Sequence, residues 1–236
     1  KAFRAEEEGT LHQAEFTMLE WYRLGYDHQQ LMDEMDIFLQ LLLHFTPAKR
    51  IRYCALFEHY LDIDLSTASS ASLKNKLQSI AVKHSEQLPK DLDYDGLLNF
   101  ALSQWIEPQL QSIPALFIYD YPASQAALAK ISSKDSTIAE RFELYLYGIE
   151  CANGFHELND AEEQSKRFDQ DRLQRQQRQL PDVLPDPQLL TALRTLPPCS
   201  GVAVGLDRLF IFYRKLASAN QLAADIVQKE NPQASC

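Results

Sequence analysis

Apolar and polar residues alternate over residues 15–22. Phe16, Met18, Glu20 and Tyr22 fall on one side and Glu15, Thr17, Leu19 and Trp21 on the other, the period of two that a β-strand requires. Upstream, Phe3-Arg4-Ala5-Glu6 and the turn-forming Gly9-Thr10 complete a strand–loop–strand reading. From 27 to 45 the period changes. Leu31, Met35, Phe38, Leu42 and Phe45 recur at helical spacing, Asp27 stands at the N-cap position, and Pro47 ends the segment. Residues 50–53 form a short strand candidate, 55–61 a helical turn, and 70–84 and 94–109 helices punctuated by Pro89 and Pro108; together they predict a helical insertion at about 48–112. Residues 115–122 read as a buried strand and 123–129 as a small-residue loop. A second strand over 141–149 runs into 150–158. Polar helices follow at 160–179 and 187–196, and a glycine-bearing strand at 201–205 turns into a helix near Arg208. The expected fold is α+β, a mainly antiparallel sheet flanked by helices, as one domain over 1–236.

Composition narrows the class. A chain of 236 residues can build one substantial core, and no apolar run approaches the roughly 20 residues of a membrane span. The net charge of −10 disfavours general nucleic-acid binding, which needs clustered cations. The one basic stretch, with Lys166, Arg167, Arg172, Arg175 and Arg178, is interrupted by acids and glutamines and reads as a solvated helix face. Cys54, Cys151, Cys199 and Cys236 are scattered without metal spacing, which fits a reducing, cytoplasmic setting. The chain opens in mid-strand without an initiator Met, so a fragment of a longer protein is expected.

Three stretches carry candidate chemistry. In the opening hairpin, Arg4 suits bidentate binding of a phosphate or carboxylate, Phe16 suits stacking on a base, and Glu20 and Tyr22 suit an ammonium; an edge hairpin with a surface ion pair is the plainer reading. Glu143 and Glu150, seven apart across Gly148, are either two surface acids or a pair for a hard cation such as Mg²⁺ with substrate phosphates. Asn153, Phe155 and Glu157 alternate onto one face, offering an amide, an apolar wall and a carboxylate. At 201–205 the glycines permit close approach of a ligand, and Arg208 begins a helix, where it meets either a phosphate or an internal acid.

Taken together these residues resemble a class II aminoacyl-tRNA synthetase catalytic domain of the lysyl subgroup. Phe-Arg-Ala-Glu followed by Glu-Phe-Thr-Met resembles motif 2, Gly-Val-Ala-Val-Gly-Leu-Asp-Arg-Leu resembles motif 3, and Asn-Gly-Phe-His-Glu-Leu-Asn-Asp-Ala resembles the lysine-pocket segment. Within that group, Met18-Leu19-Glu20-Trp21-Tyr22, Tyr121-Pro122-Ala123-Ser124-Gln125-Ala126 and residues 150–158 are similar to the elongation factor P–(R)-β-lysine ligase family, a truncated paralogue without the anticodon-binding domain.

The resemblance implies a homodimeric cytoplasmic enzyme that uses ATP and Mg²⁺ to activate (R)-β-lysine or lysine and transfers it to a lysine of elongation factor P, with tRNA not expected as acceptor. It implies that Arg4 and Arg208 supply the catalytic charge. ATP contacts are implied for Arg4, Ala5, Glu6, His12, Gln13, Phe16, Glu143, Glu150, Cys151, Gly205 and Arg208, with Mg²⁺ at Glu143 and Glu150. Glu20 and Tyr22 are implied to receive the distal ammonium, with Asn153, Phe155, Glu157 and Ala203 lining the amino-acid pocket. Four positions depart from the pattern. Ala5 stands where Asn is frequent, Gln13-Ala14 where Asn-Pro is usual, and Ala203 where the tRNA enzyme has Gly; a methyl there would crowd an α-amino group. Motif 1 and a pocket glutamate expected upstream fall outside this sequence. A lysyl-tRNA synthetase fragment and a non-catalytic synthetase-like interaction domain remain the alternatives.

Overall fold

The structure is a computed structural model that describes residues 1–4 and 14–230, with side chains up to residue 218. Strands β1 (Ala2–Phe3) and β2 (Glu15–Phe16) pair antiparallel as a small separate ladder. Then come β3 (Met18–Leu24), α1 (His28–Leu43) and β4 (Lys49–Arg52). Helices α2 (Tyr53–Leu61), α3 (Ser70–Lys83) and α4 (Tyr94–Ala101) follow, with a π-helical turn at Leu102–Ile106 and a 3₁₀ turn at Glu107–Ser112. The chain continues through β5 (Leu116–Pro122), β6 (Ile138–Leu146), β7 (Ile149–His156), α5 (Ala161–Gln177), α6 (Pro187–Leu193), β8 (Cys199–Gly205) and α7 (Leu206–Glu230).

Six strands form the main sheet in the order β3-β8-β7-β6-β5-β4, antiparallel except for the β4–β5 pair. The pleat divides its side chains between two layers. One face, with Trp21, Val202, Val204, Ala152, Phe142, Leu144 and Phe117, packs against Leu31, Met32, Met35 and Leu39 of α1 and Leu209 and Phe212 of α7. Ile118, Leu116, Tyr121 and Tyr145 emerge on the other face beneath the helices of 53–112, packed against Tyr53, Leu56, Phe57 and Ile106. Those helices cover only the β4–β5–β6 side. The β3–β8–β7 side of the same face is left for a site.

The boundaries differ from the sequence reading for local reasons. The short strand expected over 50–53 is present as β4 at 49–52 and forms the sheet edge, so the helical segment occupies 53–112 rather than beginning near 48. Strand 15–22 breaks at Thr17, whose amide donates to Asp207 Oδ2 at 2.7 Å and whose carbonyl accepts from the Leu206 amide at 2.9 Å. The helix expected over 94–109 changes winding at Leu102, and Pro108, lacking an amide hydrogen, sits in the following 3₁₀ turn. The strand expected over 141–149 is present as β6 up to Leu146 and then turns a hairpin corner, with Tyr147 at φ 48° and Gly148 at φ 77°, the paired positive φ of a tight two-residue turn. A Cβ on Gly148 would lie 2.7 Å from the Glu107 carbonyl oxygen. Gly148→Ala therefore meets both a left-handed backbone and a backbone contact, and is expected to cost about 1–3 kcal/mol in denaturant unfolding.

Candidate active site

Cross-strand register assembles the open part of the face. Glu20 lies opposite Ala203, Ala203 opposite Asn153, and Asn153 opposite Glu143, so one row crosses β3, β8, β7 and β6. The next row runs Tyr22, Gly201, Phe155 and Arg141. Residues directly opposite share a face, so these eight side-chain positions address one space.

At one end of that space is an acidic pocket. Tyr22 and Glu157 converge over Gly201: a Cβ there would fall 2.6 Å from Tyr22 Cε1 and into contact with Glu157 Oε1. Gly201 thus makes room for the two side chains that approach it. Burial pushes the Glu157 carboxyl up to about 7, and its carboxylate makes no hydrogen bond among the described residues. Burial raises Tyr22 as well, with the charges of Glu157 and Glu20 adding to the effect. Phe155 packs on Ala126, Ala129 and Ala139 and closes the wall.

At the other end Glu143, almost fully buried, is held by three donors. Tyr121 Oη donates to its Oε2 at 2.6 Å, Tyr145 Oη lies 2.8 Å from the same oxygen, and Arg141 Nη2 donates to Oε1. Arg141 also donates to Asn153 Oδ1 at 3.2 Å and to the Gln125 carbonyl at 2.8 Å, and it stacks over the Tyr121 ring at 4.5 Å. Tyr145 Oη lies 3.3 Å from Glu107 as well, and burial raises that carboxyl. Glu150 reaches this face through a β-bulge. Leu144 pairs with Ala152 but Tyr145 pairs with Glu150, so Cys151 is the extra residue and the alternation reverses. Burial first, then the charge of Glu143, pushes Glu150 up to about 7. Arg208, in the first turn of α7, donates to the Glu150 carbonyl.

Not every sequence candidate comes together here. The Cys151 thiol turns to the α1–α7 side, where burial pushes it up to about 12, so only its backbone borders Gly205. Arg4 follows β1 and Phe16 ends β2, the guanidinium 5.4 Å above the ring, and Thr17, next in the chain, bonds Leu206 and Asp207 beside Gly205 and Arg208. Ala5, Glu6, His12 and Gln13 lie outside the described residues. Arg141, Tyr121, Tyr145 and Glu107 carried no sequence assignment. Alternation over 139–145 could have found Arg141 and Tyr145 beside Glu143, whereas Tyr121 and Glu107 depend on a bulge and an irregular helix. The arginines of α5 are engaged locally, Arg172 with Asp182, Arg178 with Asp93 and Arg167 with the carbonyls of Ala127 and Ala129.

A family described as tRNA synthetases class II (D, K and N) matches residues 1–224. The chain belongs to that family. It is 44% identical over 228 residues to curated proteins from Salmonella gallinarum and Salmonella arizonae, each named elongation factor P–(R)-β-lysine ligase; the match covers 96% of this chain and 68% of theirs. The α+β core with its mainly antiparallel sheet is the architecture expected of such a class II synthetase-like chain.

The Glu157 carboxyl gives a pH signature to the site of this class II chain. Its folded-state pKa stands above the ordinary 4.5, so between about pH 4.5 and 7 the native protein keeps a proton that the unfolded chain has lost. Stability due to this group falls as pH rises through that window. Glu157→Gln is expected to stabilise the protein at pH 8 by on the order of 1 kcal/mol, allowing for solvent screening, and to have no such effect at pH 4. Urea unfolding of both proteins at the two pH values checks this; an equal difference at both would mean that the carboxyl is not buried without a partner.

Proposed function

We propose that this chain activates (R)-β-lysine or lysine with ATP and passes the lysyl group to a lysine side chain of elongation factor P. The observation that carries the reading is a match of charge. A lysine offers two ammonium groups and one carboxylate. The site sets Glu20 and Glu157 beside Tyr22 and Asn153 at one end and arginines at the other. The names of the Salmonella relatives support the substrate and the acceptor.

In this reading Glu20 and Tyr22 receive the distal ammonium, and Glu157 and Asn153 receive the other amino group. A substrate lacking an ammonium would leave a desolvated carboxylate unpaired, which is the source of selectivity. ATP would lie along Phe16, Gly205 and Arg208, with Glu6, His12 and Gln13 of the preceding loop as further contacts. Arg4 would hold the substrate carboxylate against the α-phosphate. An oxygen of that carboxylate attacks the α-phosphorus and the bond to pyrophosphate breaks. The deprotonated acceptor amine then attacks the carbonyl of the mixed anhydride, and AMP leaves. Both steps depend on positioning and charge neutralisation.

The residues present fit Mg²⁺. Glu150 makes no side-chain hydrogen bond among the described residues, and it lies close enough to Glu143 for their charges to oppose one another. No three His, Cys, Asp or Glu side chains among the described residues form a cage, so phosphate oxygens and water would complete the shell. Bound there, Mg²⁺ would neutralise charge on the phosphates. Among the described residues no helix is long and apolar enough to cross a membrane. Exposed Ile37 and Leu41 on α1, with Phe210, Ile211 and Tyr213 on α7, support a homodimer.

The test offers the protein ATP, Mg²⁺ and either lysine isomer, with elongation factor P and tRNA together as acceptors, and weighs both products. A lysyl-sized increment on the protein with uncharged tRNA is expected. Charged tRNA and unmodified protein would return the chain to the tRNA enzymes, and no pyrophosphate release would favour the non-catalytic reading. Glu157→Gln and Glu20→Gln are each expected to lower kcat/KM for lysine by on the order of 100-fold. Ala203→Gly is expected to improve use of α-lysine relative to the β isomer; no gain in competition assays would remove the crowding role of Ala203.

A further inference from the structure

Strand β5 carries its own irregularity. Ile118 lies opposite Glu143 and Tyr119 opposite Phe142, but Tyr121 lies opposite Ala139, so Asp120 alone stands against two residues of β6, Glu140 and Arg141, and the register shifts there. Its φ of 57° is left-handed, a conformation that Asp tolerates better than most residues. Strict alternation from Ile118 would send Tyr121 towards α1. The bulge reverses this. Tyr119 packs on the α1 side, Asp120 reaches the first turn of α1, and Tyr121 moves to the opposite face. There its hydroxyl donates to Glu143 at 2.6 Å.

Two side chains fasten the bulge. Asp120 Oδ1 is 3.1 Å from His28 Nε2, and Oδ2 is 3.2 Å from Arg52 Nε. Since an ionised carboxylate only accepts, His28 Nε2 is the donor. His28 is buried and Asp120 nearly so. The clasp thus joins α1, the end of β4 and β5 at the one residue that decides which way Tyr121 faces.

We infer that Asp120, clasped by His28 and Arg52, is a positioning residue that acts through Tyr121 on Glu143. The inference rests on the ligase reading, since Glu143 serves the reaction proposed there. Loss of the clasp lets the strand return to regular pairing and withdraws one of the three donors that hold Glu143.

A double-mutant cycle read by ATP–pyrophosphate exchange tests it. Asp120→Ala is expected to lower kcat/KM for ATP by on the order of tenfold in the native background, but by less than about twofold once Tyr121→Phe has removed the hydroxyl. Asp120→Asn keeps the acceptor and the left-handed backbone and is expected to restore exchange to within about twofold of the native protein. Equal losses from Asp120→Ala in both backgrounds, or an Asn variant as impaired as the Ala variant, would overturn the inference. Asp120→Gly accepts the backbone without strain and serves where the Ala variant does not fold. In its crystal structure the Tyr121 hydroxyl is expected to leave hydrogen-bond distance of Glu143, and an unmoved hydroxyl overturns the inference as well. If the native protein exchanges no pyrophosphate with either lysine isomer, the ligase reading has failed, and the crystal structure alone decides for Asp120.

Discussion

A carboxylate in the middle of a sheet is the constraint around which this structure is arranged. Glu143 is almost fully buried, and a charge so placed persists only where donors surround it. Two phenols and a guanidinium meet that demand. Each donor belongs to a different local arrangement. Tyr145 comes from simple alternation on β6, Arg141 from the same strand one pleat away, and Tyr121 from the neighbouring strand only because the β5–β6 register shifts at Asp120. On the other side β7 bulges and delivers Glu150. Register shifts on either side of β6 therefore produce the polar end of the site.

The second arrangement is one of coverage. The helices at 53–112 bury Ile118, Leu116, Tyr121 and Tyr145 but stop short of β7, β8 and β3. The apolar part of the face is sealed and the polar part is left accessible, with Glu143 at the border. Arg141 ties the two halves together: its partners reach Glu143 on its own strand, Asn153 in the lysine row and Gln125, whose side chain donates to Asn99 of α4. Motion of the helical segment would thus be felt at the residues that border both ends of the site.

Much of this was legible in the sequence, and the limits have identifiable causes. The strand period at 18–22 placed Glu20 and Tyr22 together, and the helical period placed the apolar stripe of α1 correctly. The segments resembling synthetase motifs located Asn153, Glu157, Ala203 and Arg208, which the sheet brings into adjoining rows or, for Arg208, against the backbone of Glu150. Both register shifts were missed, because only two strand residues lie on one side of each, Tyr121-Pro122 and Ile149-Glu150, too few to show a reversed alternation; Glu150 was named without its means of facing Glu143, and Tyr121 was not named for a site role. The hairpin corner at Tyr147-Gly148 was read as continuous strand because tyrosine is a strand former and an unusual occupant of such a turn. Cys151 was placed beside ATP by its position in the sequence, whereas the bulge turns its thiol to the opposite layer.

The pairing of β3 with β8 has a consequence for how the protein is made. The bond between Thr17 and Asp207 spans 190 residues, and the row from Glu20 to Glu143 waits on the same closure. On a ribosome, Glu20 and Tyr22 emerge long before the strand that will flank them, so β3 spends most of synthesis unpaired. Contacts of such sequence separation form late and slowly. A nascent chain stalled anywhere before β8 would carry a folded helical segment and no binding pocket, and its exposed first strand would be a natural client for chaperones.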